Sequence, residues 1–325
     1  MDTLVEIPVT DIGGVSIGQA QNEAAGTGCT VFLFGPGGAA AGLDVRGGGP
    51  ASRESELLKP TAAAQRIHAV LLAGGSSFGL DAAGGVMRYL EERSIGFSVG
   101  ITTVPLVCQS NLFDLALGDP FIRPDAAMGY AACEAAGNYR DGNFGAGTGA
   151  SVGKACGMQR AMKSGIGSYA LQLGTLKVGA VVAVNAIGDI YDRDTGKKIA
   201  GMRNTEGTGF ADAEAALLGA REDASFAANT TIGVVLTNAR LDKTRLCKVA
   251  AMAHDGYAAS IRPVHTANDG DSIYAVSLPD DAAENIPADT VGELAVKVMS
   301  RAIVRAVTSA EAAYGLPAVR SLRQR

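Results

Sequence analysis

The sequence contains no tryptophan and only three histidines, and aromatic residues make up 5% of its 325 positions. Without aromatic platforms there is little on which nucleobases could stack. Basic residues are scattered and the formal net charge is −5, so the basic stripe that a phosphate backbone requires is missing too. No uninterrupted apolar run approaches the roughly 20 residues that span a bilayer. The opening MDTLVEIPVTDIGG lacks the basic end and apolar block of a signal peptide. Together these absences set the expectation of a cytoplasmic protein with neither nucleic acid nor membrane as partner. The five cysteines (Cys29, Cys108, Cys133, Cys156, Cys247) are odd in number, widely spaced and without a C-x-x-C pair. Reduced structural thiols are therefore expected. His68, His254 and His265 form no metal-ligand spacing.

Glycine and alanine are abundant instead, suiting close backbone packing and tight turns. A chain of this length can bury a full core. Apolar runs with strand character fall at 29–35, 67–75, 178–188, 231–238 and 272–278. Helical three- and four-residue spacing marks 80–94, 125–137, 212–222 and 241–261. A long amphipathic helix is expected over 291–315, stopped by the Gly and Pro of AYGLP. Strands and helices mix throughout, so the class is α/β or α+β. No low-complexity linker divides the chain, and a single domain, 1–325, is expected. The small, polar stretch at 221–230 reads as an exposed loop.

Four stretches can carry chemistry. GAGTGASVGK (145–154) resembles a phosphate loop but has Thr148 where its first glycine belongs and Ala155 where the hydroxyl residue belongs. A tight turn presenting Lys154 into a pocket is the other reading. GSSFG (75–79) satisfies G-x-S-x-G between a strand and a helix, the setting of a nucleophile elbow at Ser77. Of the partners available, Asp189 followed by His254 or His265 preserves the order Ser, Asp, His. In PVHTANDGDSIYAV (263–276), Asp269 and Asp271 flank Gly270 before a strand. They suit a solvated turn, a cation, or the orientation of a base–nucleophile pair. Lastly, in ANTTIGVVLTN the pair Asn229-Thr230 opens a strand. It would become reactive if the Thr230 hydroxyl attacked the Asn229 carbonyl and water hydrolysed the ester. Thr230 would then own an α-amine, whose reference pKa of about 7.7–8.0 suits general-base work.

The segments GCTVFLF, AGLDVRGGGPASRESELL, LAGGSSFGLDAAGGVMRYLEE, GDPFIRPDAAMGYAAC, GAGTGASVGK, NTTIGVVLTNARL and IRPVHTANDGDSIYAV run in order over nearly the whole chain. In them the sequence resembles the self-processing aminopeptidase family of the L-aminopeptidase/D-esterase type. The C-terminal segments are most similar to the branch containing the endo-type 6-aminohexanoate-oligomer hydrolase. The resemblance implies a four-layer αββα sandwich of the N-terminal-nucleophile (Ntn) hydrolase kind, without cofactor. It implies self-cleavage between Asn229 and Thr230 into an α chain (1–229) and a β chain (230–325), assembled as a homotetramer of such pairs. It makes Thr230 the nucleophile, oriented with its amine by Asp269 and Asp271. Lys154 would place a positive charge beside the amine, and Asn185 would donate to the oxyanion. Short peptides, amino-acid amides or linear ω-amino-acid oligomers are the implied substrates. Phe113, Cys108, Ser76 and Ser77 are placed at the substrate pocket.

Two departures stand out. The aminopeptidase members have Ser and Glu in place of Asp269 and Asp271, and Phe113 aligns with a family tyrosine. Cys108 and Gln109 are unusual at their positions and are expected to reshape the pocket. Acyl transfer to an amine, an inactive scaffold of the same fold, and a Ser77 hydrolase remain the alternatives.

Overall fold

The computed structural model describes residues 3–219, 229–280 and 286–322. Most of the loop expected at 221–230 therefore lies outside the described residues. Two large sheets organise the chain. Their strands, in chain order, are β1 (Leu4–Ile7), β2 (Val15–Asn22), β3 (Thr27–Phe34), β4 (Ala40–Val45), β5 (Ala51–Arg53) and β6 (Ala69–Ala73). They continue as β7 (Val107–Asn111), β8 (Ile166–Leu173), β9 (Leu176–Asn185), β10 (Thr230–Thr237) and β11 (Ser272–Ser277). The main helices are α1 (Ala82–Glu91), α2 (Ala126–Glu134), α3 (Lys243–Ser260) and α4 (Ala288–Ser309).

One sheet runs β1-β8-β9-β10-β11-β4 and the other β2-β3-β6-β7-β5. Each is antiparallel except for one parallel pair, β10–β11 in the first and β6–β7 in the second. A parallel pair needs a crossover. Here α3 and α1 supply them, each packing on the outer face of its own sheet.

Three stacked cores result. Phe32, Val70, Leu72, Val181, Ile232, Val234 and Tyr274 fill the space between the sheets. Val178, Val235, Val249, Ala253, Val298 and Ile303 join the first sheet to α3 and α4. Val31, Leu71, Val86, Leu90 and Ala132 join the second to α1 and α2. The layers are α, β, β, α. Every residue of β10 is buried, because its sheet is covered on both faces. That is why TIGVVLTN reads as a continuous apolar run rather than an alternating one.

The pleat alternates nonetheless. Ile232 and Val234 point between the sheets and Val235 towards the helices, so Thr230 shares the inter-sheet face.

The last long helix stops earlier than expected, at Ser309, with Ala310 already extended. The Asn143 side-chain amide explains the difference. It accepts from the Glu311 N–H at 3.1 Å and donates to the Glu311 carbonyl at 2.9 Å, so the groups a longer helix would use are bound elsewhere. No helix among the described residues is long and apolar enough to cross a membrane, and all five cysteines are free.

Candidate active site

Asn185 ends β9 and Thr230 begins β10, and the two are directly paired across the antiparallel ladder. Opposed residues share a face, so both belong to the inter-sheet side. Thr230 is only 4% exposed. Its hydroxyl donates to the carbonyl oxygen of Asn229. That same oxygen accepts the Gly270 N–H at 2.9 Å, and the Asn229 N–H reaches the Asn268 carbonyl at 3.3 Å. The peptide bond before Thr230 thus has a hydroxyl beside it and a backbone donor on its oxygen.

Lys154 arrives from the Gly-rich loop. The N–H groups of Gly153 and Lys154 bond to the carbonyls of Gly188 and Ile187 at 3.0 and 2.9 Å, which ties the loop to the turn after β9. Lys154 Nζ donates to Asn185 twice, to its backbone carbonyl at 2.9 Å and to Oδ1 at 2.8 Å. Burial pushes the Lys154 ammonium down to about 7, against the pull of Asp269, Asp114 and Asp271. Asn185 Oδ1 also accepts the Ser151 N–H at 3.1 Å. The Ser151 N–H can only donate, which fixes how the amide is turned. Asn185 Nδ2, the atom expected to face an oxyanion, donates instead to the Phe113 carbonyl at 2.7 Å.

The two acids differ. Asp269 Oδ2 accepts the Thr266 N–H at 2.6 Å. Its Oδ1 is buried and, among the described residues, has no hydrogen-bond partner. Burial, and then the neighbouring Asp271 charge, raise the Asp269 carboxyl to about 6. Asp271 Oδ1 accepts the Thr231 N–H at 2.7 Å, and Oδ2 faces His265 Nδ1 at 2.8 Å. The family resemblance has Asp271 orient Thr230 and its amine, and the bond its Oδ1 makes is to the next residue's N–H. By pleat parity Ser272 and Tyr274 face the other sheet, where they meet Ser110, so the Asp271 side chain leaves its strand on the α3 side, as that of Thr231 does.

Several contributors escaped the sequence analysis. Gly47, Gly48 and Gly49 run along the acid loop, with Gly48 N–H on the Thr266 carbonyl at 3.2 Å and Gly49 N–H on the Asp269 carbonyl at 2.8 Å. A Cβ on Gly48 would stand 2.4 Å from the Ala267 carbonyl oxygen, whereas one on Gly49 would meet nothing nearer than 3.8 Å. Gly48→Ala is therefore expected to lower stability by about 1–3 kcal/mol. Gly49→Ala should be neutral in the same thermal melt. Three consecutive glycines were the available signal.

Lys163 is fully buried and donates to the carbonyls of Gly147, Ala150 and Ser164 at 3.1, 3.0 and 2.5 Å. Burial pushes it down to about 7. The Gly-rich loop therefore turns carbonyls onto an amine, where a phosphate loop would turn N–H groups onto an anion. Asp114, raised by burial to about 6, accepts the Gly75 N–H and the Thr27 hydroxyl, both at 2.7 Å. It pins the segment whose Phe113 carbonyl holds Asn185.

The remaining sequence candidates lie apart. Ser77 is exposed on the 3-10 turn Ser76–Asp81, and Ser76 has a φ of 53°. Asp189 is taken by Lys198 at 2.6 Å and by the N–H groups of Met202 and Ala213. His254 Nε2 faces Asp44, 3.2 Å from its carbonyl. Ser77, Asp189 and His254 make no triad. Cys108, expected at the pocket, is fully buried in the inter-sheet core, its Sγ donating to the Glu54 carbonyl at 3.4 Å. Gln109 points the other way, to the Gly79 carbonyl at 2.7 Å. Half-buried Phe113 contributes its backbone. Among the described residues no three His, Cys, Asp or Glu converge as a metal site.

The family model for peptidase family S58 matches residues 8–319, all of the strands that carry this site included. The chain belongs to peptidase family S58. As a family S58 member it is a peptide- or amide-bond hydrolase. It is 38% identical to an uncharacterized aminopeptidase of Mycobacterium leprae, over 95% of this chain and 92% of that protein. It is 33% identical to a 6-aminohexanoate-oligomer endohydrolase of Agromyces sp., over 88% of this chain and 79% of that one. A similar fold is seen in the L-aminopeptidase D-Ala-esterase/amidase of Ochrobactrum anthropi, described as a variant of the Ntn hydrolase fold. That structure matches with a TM-score of 0.73 and 19% identity, over 99% of this chain and 94% of its own.

Proposed function

We propose that this S58 hydrolase activates itself. Thr230 cuts the Asn229–Thr230 bond and then serves as an N-terminal nucleophile on short peptides, amino-acid amides or linear ω-amino-acid oligomers. The observation that carries this is the Asn229 carbonyl, with the Thr230 hydroxyl against it and the Gly270 N–H on its oxygen at 2.9 Å.

Oγ1 attacks the Asn229 carbonyl carbon, and the charge that develops on its oxygen lies on the Gly270 N–H. The C–N bond breaks, the nitrogen takes a proton, and an ester joins Asn229 to Thr230 Oγ1. Water hydrolyses it to a carboxylate and a free hydroxyl. Thr230 now has an α-amine to take its own hydroxyl proton and pass it to the leaving amine of a substrate. The same two half-reactions follow, through an acyl ester. Lys154 and Asp269 tune the proton inventory: one is pushed down to about 7 and the other up to about 6, so both exchange protons near neutrality. The bare Oδ1 of Asp269 supports a substrate that brings a cationic amine.

A denaturing gel and N-terminal sequencing test the proposal. Two fragments are expected, the smaller beginning Thr-Thr-Ile-Gly. An uncut chain that hydrolyses amides would overturn it. Ser77→Ala is expected to stay within about twofold of wild-type activity, since an exposed surface hydroxyl rarely matters. A large loss there would revive the nucleophile-elbow reading.

A further inference from the structure

We infer that His265 is a positioning residue for the nucleophile, acting through Asp271 on the backbone of Thr231. The inference rests on the Thr230 reading above.

Asp271 bridges two elements. One carboxylate oxygen holds the Thr231 N–H at 2.7 Å, and the other holds both Nδ1 and the backbone N–H of His265, at 2.8 and 3.2 Å. A carboxylate accepts only, so Nδ1 carries the hydrogen. The peptide between Thr230 and Thr231 is thus fixed by a carboxylate that cannot swivel while His265 holds its far oxygen. The Thr230 side chain itself leaves the strand on the opposite pleat face.

His265 is built to stay in place. Its φ of 58° is one that side chains rarely adopt, and it points the ring back at Asp271. The ring stacks on Tyr257 at 6.0 Å and meets the edge of His254 at 4.8 Å. His254 is in turn held by Asp44. Arg46 closes the same region through its N–H on the Asp271 carbonyl at 3.0 Å. Nothing in this chain of contacts touches the bond to be cut. Its product is the direction in which Thr230 leaves its strand.

Shape and donor can be separated at this position. Asn tolerates positive φ and carries an N–H where His265 carries Nδ1. Asp has the same outline and tolerance but only acceptors. Gly tolerates the backbone and removes the side chain. His265→Asn is expected to keep self-processing and kcat within about threefold of wild type. His265→Asp and His265→Gly are expected to lose about 10- to 100-fold in kcat, the scale of a small misplacement of a reacting group. KM, read on amino-acid p-nitroanilides, should stay within about twofold, and each variant's thermal midpoint reports its folding.

Wild-type kcat in His265→Asp or His265→Gly overturns the inference. So does an equal loss in His265→Asn, because the ring rather than the donor would then be responsible. Should the Asp and Gly variants not fold, the Asn variant decides alone. Thr230→Ala, run alongside, separates the two levels: activity surviving there removes the nucleophile reading. Loss there with full activity in His265→Asp removes only the positioning role.

Discussion

Thr230→Ala is expected to yield a single uncut chain of 33.0 kDa with amide hydrolysis reduced on the order of 10⁴-fold or more. The substitution removes one oxygen and one methyl from a residue that is 4% exposed. The strand pairing of β10 with β9 and β11 is made by backbone, so the fold should survive and circular dichroism should confirm it. What disappears is the hydroxyl that bonds to the Asn229 carbonyl. Both the cut and the later chemistry need that atom, so both fail together. Thr230→Ser retains the hydroxyl but loses the β-methyl that restricts χ1. Cleavage in it should persist and run more slowly. Full activity in Thr230→Ala, on a gel that still has one band, would end the proposal.

Lys154→Met should slow self-processing by about 10²-fold or more, the usual scale for a positioned proton carrier. It should also erase a limb of the pH profile. Burial sets the Lys154 pKa to about 7 from its ordinary 10.5, so the neutral amine accumulates as pH rises through about 7. A neutral lysine has two N–H groups and one lone pair. Both N–H groups are placed on the two Asn185 oxygens, which leaves the lone pair to accept a proton. Wild-type processing is therefore expected to rise through about pH 7 and level off above it, while the Met variant stays flat. An unchanged profile in Lys154→Met would remove the lysine from the proton path.

The same shift has a stability consequence. The folded pKa lies below the unfolded one, so the unfolded chain binds more protons between about 7 and 10.5. The contribution of Lys154 and Lys163 is present above 10.5 and lost as pH falls through about 7. Asp114 and Asp269 run oppositely, raised from 3.8 to about 6. Theirs is present below 3.8 and lost as pH rises through about 6.

Much of this molecule was legible before folding. The strands 29–35, 178–188, 231–238 and 272–278 were found within two or three residues, because each is a β-branched run bounded by turn residues. Thr230, Lys154, Asn185 and Asp269 come from the family resemblance, and Lys154 bonds to Asn185 while Asn185 pairs with Thr230. The strands β1, β2, β4, β5, β7 and β8 were not anticipated. Nor were Lys163, Asp114 and the ribbon of Gly47 to Gly49, whose partners are distant backbone groups and, for Asp114, the Thr27 hydroxyl, which leave no local pattern.

What the sequence by itself determined is the set of chemical groups and their order. These are a hydroxyl opening a strand, two carboxylates around a glycine, and a lysine closing a Gly-rich turn, in a chain whose family is plain from end to end. The tertiary structure alone decided which of these groups meet. A run such as TIGVVLTN is buried on both faces, so hydrophobicity carries no alternation from which to tell one face from the other. Only packing between two sheets and two helix layers assigns Thr230 to one side and Asp271, with His265, to the other.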